Sequence, residues 1–151
     1  MVDFMGVTSS RPRGSSAPAL GSVAPLARTI LVVEDFDELR ELIVSSLREL
    51  RYQVEAASSG GQAVRFASKG VADVIVMDVS LPVMNGIDVT RRIRTLGGPK
   101  RPHIIVASAH GDGRTRQLAF EAGCDQFIAK PLDLDALAAT IDAFFVKRDG
   151  R

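Results

Sequence analysis

Tryptophan is missing from this chain, and tyrosine and cysteine occur once each. A single cysteine excludes an internal disulfide, and Cys124 has no histidine or thiol companions at zinc-ligand spacing. It reads as a small packing residue in a reducing compartment, hence a cytoplasmic protein. An excess of charge of either sign is also missing. The 19 Lys and Arg nearly balance the 18 Asp and Glu, for a net charge of +1. That leaves no strongly basic surface of the kind that selects nucleic acid. No run approaches 18 uninterrupted apolar residues, so no membrane-spanning helix is expected. No internal repeat is visible.

Acidic residues are scarce at the start, where VTSSRPRGSSAPALGSVAPLAR is rich in Ser, Pro, Ala and Gly. A segment of this kind buries too little to offset its ordering entropy. Residues 1–28 are therefore expected to be a disordered tail, with Met5 a second candidate start. A targeting peptide is the rival reading. It lacks a compact apolar core, and Pro12, Pro18 and Pro25 interrupt any amphipathic helix. Residues 29–147 form the expected domain and 148–151 a short C-terminal tail.

Within that domain, short apolar runs alternate with helical periodicity. Strands are expected over Thr29–Val33, Gln53–Ala57, Asp73–Met77, His103–Ala107 and Gln126–Ala129. Helices are expected over Asp37–Leu50, Gly60–Lys69, Ile87–Leu96, Asp112–Ala122 and Asp133–Val146. Leu39, Leu42, Ile43, Leu47 and Leu50 fall at helical spacing in the first helix, and Asp133 is a natural N-cap for the last. Five βα units with buried, non-alternating strands imply an α/β fold, with a parallel sheet covered on both faces and right-handed crossovers.

Functional groups stand at four strand ends: Glu34 and Asp35 after TILVV, Asp78 after DVIVM, Ser108 after HIIVA, and Lys130 after QFIA. In an open parallel sheet, ligands bind beyond the carboxyl ends of the strands, so these residues are expected to meet. Alone, the Glu34–Asp35 pair could simply begin a helix, where negative charge is favourable. Asp78 is different, because a carboxylate ending an apolar strand needs a partner or a metal. Three clustered carboxylates call for a cation, and oxygen-only ligands suit Mg²⁺ or Mn²⁺. With a lysine and a hydroxyl nearby, the set suits a phosphoryl group, with a carboxylate as covalent acceptor.

The stretches ILVVED, DVIVMDVSLPVMNG, IIVASAH and EAGCDQFIAKP occur in this order, with Asp35, Asp78, Ser108 and Lys130 spaced by 43, 30 and 22 residues. From about Thr29 to Val146 the chain resembles the receiver domain of two-component response regulators. The resemblance implies a doubly wound, flavodoxin-like sheet in the order 2-1-3-4-5. It makes Asp78 the phosphoacceptor and gives Mg²⁺ to Asp35, Asp78 and the Ser80 backbone carbonyl, with Glu34 assisting. It pairs Lys130 with the acceptor and then with a phosphoryl oxygen, and it makes Ser108 a hydrogen-bond donor to the phosphoryl group. Phe127 falls at the aromatic switch position and Lys130–Pro131 at a cis peptide. In the loop Pro82–Gly86, Pro82 is expected to fix a turn and Gly86 to permit positive φ.

Departures are few. Leu81 stands where methionine is commoner before the proline, a volume-conserving change. Ser80 and His110 flank the site and are expected to set the phosphoryl lifetime. His110 lies in a loop, unlike a phosphoaccepting histidine on a helix face, and His103 reads as structural. Phe127 lacks a phenol hydroxyl, so it would switch by packing alone. Only KRDGR follows Val146, so the expectation is a stand-alone receiver without direct DNA binding. It would be phosphorylated by a histidine kinase or histidine phosphotransfer protein and would act on a downstream protein. The resemblance implies a phosphoacceptor, not an enzyme in its own right. An aspartyl-phosphate hydrolase would want a carboxylate two residues after the nucleophile, where Ser80 stands. A flavin-binding carrier would want a hydroxyl-rich loop after the first strand, where Glu-Asp-Phe-Asp-Glu would repel a phosphate. A binding module that is never phosphorylated fits poorly with the complete acidic set.

Overall fold

The computed structural model describes residues 28–150. The expected 1–28 tail and the Met1 or Met5 start lie outside the described residues, except for Arg28. Five strands alternate with five helices: β1 Thr29–Val33, α1 Asp37–Glu49, β2 Gln53–Ala57, α2 Gly60–Ser68, β3 Val74–Asp78, α3 Gly86–Leu96, β4 His103–Ser108, α4 Gly113–Ala122, β5 Gln126–Ala129 and α5 Leu134–Asp149. All strand pairs are parallel and the sheet order is β2-β1-β3-β4-β5. This is the doubly wound, flavodoxin-like fold.

The period of two along each strand divides the core into two layers. Leu31, Val33, Ile75, Met77, Ile104 and Val106 pack on one face, against α2, α3 and α4. Ile30, Val32, Val74, Val76 and Ile105 pack on the other, against α1 and α5. Burial on both faces explains why β1, β3 and β4 read as continuous apolar runs, whereas β2, at the edge, has three exposed residues in five.

Caps set several helix starts. The side chains of Ser59, Asn85 and Asp112 each accept a backbone N–H three residues on, and Asp133 accepts from Asp135 and Ala136. Asp112, placed inside the fourth helix by its sequence, caps it instead. The inner face of α1 is formed by Ile43, Val44 and Leu47, whereas Leu42 and Leu50 are more than half exposed. Helical spacing admitted all of these leucines, but the stripe that meets the sheet is narrower.

The last helix runs to Asp149, three residues past its expected end at Val146. Arg148 donates to the buried Asp73 carboxylate at 2.8 Å, and Asp149 pairs with Arg28 at 3.0 Å. Asp73 also accepts from the Thr29 amide and from Lys100, each at 2.8 Å. Residues 148 and 149 therefore belong to the domain, not to a tail. This network closes the end of the sheet opposite the functional groups.

Candidate phosphoacceptor site

The sheet register brings the predicted residues to one end. Val33 lies opposite Met77, Asp78 opposite Ala107, and Ser108 opposite Ala129. The residues that end or follow these strands are Glu34, Asp35, Asp78, Ser108 and Lys130. The order reverses at β1 and β3, so the crevice where a doubly wound sheet binds ligands opens between Glu34 and Asp78. Lys130 is tied in through its own amide, which donates to the Ser108 carbonyl at 2.8 Å. The Lys130–Pro131 peptide is cis.

Lys130 Nζ donates to Asp78 Oδ1 at 2.8 Å and to Glu34 Oε1 at 2.9 Å. Glu34 and Asp78 are buried, while Asp35 is exposed at the mouth. Burial, more than the Asp78 charge, raises the Glu34 carboxyl above its usual range, against the lowering effect of Lys130. Burial is also the largest influence on Lys130 and acts to lower its pKa. The hydrogen bonds and charges of Asp78 and Glu34 together outweigh it, and the ammonium is held above its ordinary value.

One carboxylate oxygen from each of Glu34, Asp35 and Asp78 lies within 4.8 Å of the others, the one such acidic group among the described residues. Lys130 pairs with two of the three carboxylates, so a hard cation suits the remaining negative charge, and the donor set is all oxygen. The residues fit Mg²⁺. Ser80 is exposed at the same rim, two residues after Asp78. Cavities of about 510 and 430 Å³ lie elsewhere, over α1 and α3. The acidic site, with its three carboxylates and a lysine, suits an ion and a phosphoryl group.

The loop after Asp78 departs from expectation. Gly86 does not supply the positive φ; Val83 does, at φ 69°, with its side chain fully exposed. Gly86 is needed for space, because a Cβ there would meet the Asp78 carbonyl.

Ser108 is 1% exposed, and its hydroxyl is engaged. It accepts from the His110 amide at 2.9 Å and donates to the His110 carbonyl at 3.2 Å. Phe127 is half-buried against the core on the neighbouring strand. His103 hydrogen-bonds Gln126 at 2.8 Å and packs on Phe144, consistent with a structural residue.

Two arginines were missed in sequence. Arg116 places its guanidinium 5.3 Å from the Phe120 ring and 5.7 Å from that of Phe127. Its i,i+4 relation to Phe120 is readable; the contact with Phe127 depends on the tertiary fold. Arg40 reaches from α1 back to the Glu34 carbonyl.

Known proteins share this arrangement. A sequence model of the response regulator receiver domain matches residues 30–142. The sensor histidine kinase RcsC of Salmonella typhi is 35% identical over 115 residues, 76% of this chain but 12% of the kinase. The receiver domain of the sensor histidine kinase PA1611 of Pseudomonas aeruginosa, with a magnesium ion coordinated in its active-site cleft, is 34% identical at a TM-score of 0.71, covering 78% of this chain and 97% of that one. The receiver domain of the response regulator Ssk1 of Saccharomyces cerevisiae, crystallised with the histidine phosphotransfer protein Ypd1, is 26% identical at a TM-score of 0.71, covering 76% of this chain and 86% of that one. This chain belongs to the response regulator receiver domain family, the phosphoacceptors of two-component signalling.

Proposed function

We propose that this domain accepts a phosphoryl group on Asp78 from the phosphohistidine of a histidine kinase or histidine phosphotransfer protein. It then acts on a downstream protein or hands the phosphoryl group on. The observation that carries this reading is Asp78 itself, a buried carboxylate at the mouth of the switch-point crevice, bonded to Lys130 within the acidic cluster. The Mg²⁺ of the related PA1611 receiver and the Ypd1 complex of Ssk1 support the cation and the donor class. The setting is the cytoplasm, and the lone thiol Cys124, buried and protonated, suits a reducing compartment.

Glu34, Asp35, Asp78 and the Ser80 carbonyl would hold a Mg²⁺, which would supply positive charge to the phosphoryl oxygens. An Asp78 carboxylate oxygen forms the new P–O bond. The P–N bond to the donor imidazole breaks, and its electron pair returns to the ring nitrogen. The product is an acyl phosphate. Lys130 stays on the acceptor side of the cleft and gains a phosphoryl oxygen as partner. Ser108 turns its hydroxyl from the His110 carbonyl to the phosphoryl group, and the loop carrying His110 follows. That opens space for the Phe127 ring, so the signal leaves through α4, β5 and α5.

The linkage chemistry tests this directly. After incubation with radiolabelled acetyl phosphate and Mg²⁺, label lost to hydroxylamine is the expected result. Label stable to base but lost in acid would instead mark a phosphohistidine, such as one on His110.

A further inference from the structure

Residues 34–38 read Glu-Asp-Phe-Asp-Glu, four carboxylates in a single turn of chain. Two of them, Glu34 and Asp35, belong to the acidic cluster; Asp37 and Glu38 open α1. Something must hold these like charges in a definite arrangement. Phe36 occupies the N-cap of α1 and provides no side-chain cap, unlike Asn85, Asp112 and Asp133 at their helices.

Lys130 and the Phe36 amide hold the Glu34 carboxylate, at 2.9 and 3.2 Å, and Arg40 holds the main chain behind it. Its Nη1 donates to the backbone carbonyl of Glu34 at 2.8 Å, and its Nη2 to Asp37 Oδ1 at 2.6 Å. Its own amide donates to the Phe36 carbonyl at 2.9 Å. The side chain is only 17% exposed, so the fork is fixed rather than waving in solvent. A guanidinium presents its donors in one rigid plane and holds two acceptors at once. One acceptor is the main chain of a cluster residue. The other is a carboxylate outside the cluster, drawn away from it.

We propose that Arg40 is a positioning residue for the cation site. It fixes the peptide between Glu34 and Asp35, and thereby the backbone from which both carboxylates extend. The inference rests on the Mg²⁺-assisted phosphoacceptor reading above. Groups behind metal ligands often matter this much: losing one typically weakens metal binding about 10- to 100-fold. The sign of the effect is diagnostic. As a mere positive charge beside three carboxylates, Arg40 would oppose a cation, and removing it would tighten binding. As a positioning group, its removal weakens binding.

The probe is Mn²⁺, followed by the paramagnetic resonance of the free ion, with the full chain as wild type, R40M, R40K and the ligand-deleted background Asp35→Ala. Methionine keeps the apolar stem without donors, and lysine keeps a charged donor. R40M is expected to bind Mn²⁺ about 10- to 100-fold more weakly, and R40K to recover most of the loss. The Mg²⁺ concentration for half-maximal phosphorylation by acetyl phosphate should rise in parallel for R40M, while the rate at saturating Mg²⁺ approaches wild type. Should R40M not fold, R40L, likewise without donors, carries the same expectation. Unchanged or tighter binding in these variants overturns the proposal, as does R40K binding no better than R40M. If the wild type itself binds no Mn²⁺ above the Asp35→Ala background, the metal-assisted reading falls, and this inference with it. If the wild type binds and R40M binds equally well, the inference alone falls.

Discussion

A Cβ atom on Gly86 would overlap the backbone carbonyl of Asp78, so the loop after β3 folds back onto the residue that ends that strand. The Gly86 amide donates to the Val79 carbonyl at 2.9 Å, which closes the loop. Any side chain at 86 must displace either the loop or Asp78.

Gly86→Ala should therefore destabilise the domain by about 1–3 kcal/mol, the usual cost of overpacking. It should also slow phosphorylation by acetyl phosphate, because the displaced atoms belong to the acceptor. Denaturant melts and phosphorylation rates check both effects. A variant with wild-type stability and rate would show that the loop yields at no cost.

Val83 makes the opposite case. The Met84 amide donates to the Pro82 carbonyl at 2.7 Å, closing a three-residue turn about Val83 at φ 69°. Such a turn is rare and strained, and a β-branched residue is poorly suited to it. The left-handed region costs an ordinary residue about 1–2 kcal/mol, against roughly 0.5–1 kcal/mol for the extra chain entropy of glycine. Val83→Gly should raise stability by about 0.5–1 kcal/mol, or a melting temperature gain of about 2–4 °C. A lower melting temperature would mean that the exposed valine makes contacts that outweigh its strain.

These two residues show what the sequence could and could not tell. β1, β3 and β4 were legible because a strand buried on both faces is a continuous apolar run, and the polar residues that end such runs stood out; the edge strand β2 gave a weaker signal. Asp78, Lys130, Ser108, Glu34 and Asp35 were all found in this way, and the register brings them together. The turn was legible as a turn, but the choice of Gly86 for positive φ was wrong. Glycine serves close approach as well as unusual φ, and composition does not separate the two. Arg40 and Arg116 were missed because surface arginines are common, and only the tertiary fold shows which are held. The end of α5 was set too early because Arg148 and Asp149 read as a charged tail. Their partners, Asp73 and Arg28, lie far away in sequence.

The Ser108 hydroxyl must leave the His110 carbonyl before it can meet a phosphoryl group. Ser108→Ala removes this donor at a site that still holds Asp78 and Lys130. The variant should be phosphorylated at Asp78 yet lose most of the chemical-shift change around Phe127. One charge-assisted hydrogen bond supplies about 1.5–3 kcal/mol, a shift of roughly 10- to 100-fold in a two-state equilibrium. A wild-type response around Phe127 in Ser108→Ala would remove Ser108 from the coupling.

Cys124 should be inert. Burial, aided by the Asp125 charge, raises its thiol to about 11. The folded protein keeps the proton that an unfolded thiol loses near pH 8.5, so about one molecule in a thousand carries the reactive thiolate at pH 8. Iodoacetamide labelling at pH 8 should be at least about 100-fold slower in the native than in the denatured protein, and should accelerate as the pH approaches 11. The same shift makes stability fall as pH rises from about 9 to 11, because the unfolded chain releases its proton first. Rapid native labelling at pH 8 would contradict this account of the site.

Intact mass tests most directly whether Asp78 receives the phosphoryl group. Incubated with acetyl phosphate and Mg²⁺, the wild type should gain the mass of one phosphoryl group, and Asp78→Asn should gain none. The same adduct on Asp78→Asn, or none on the folded wild type with Mg²⁺ present, would contradict the account.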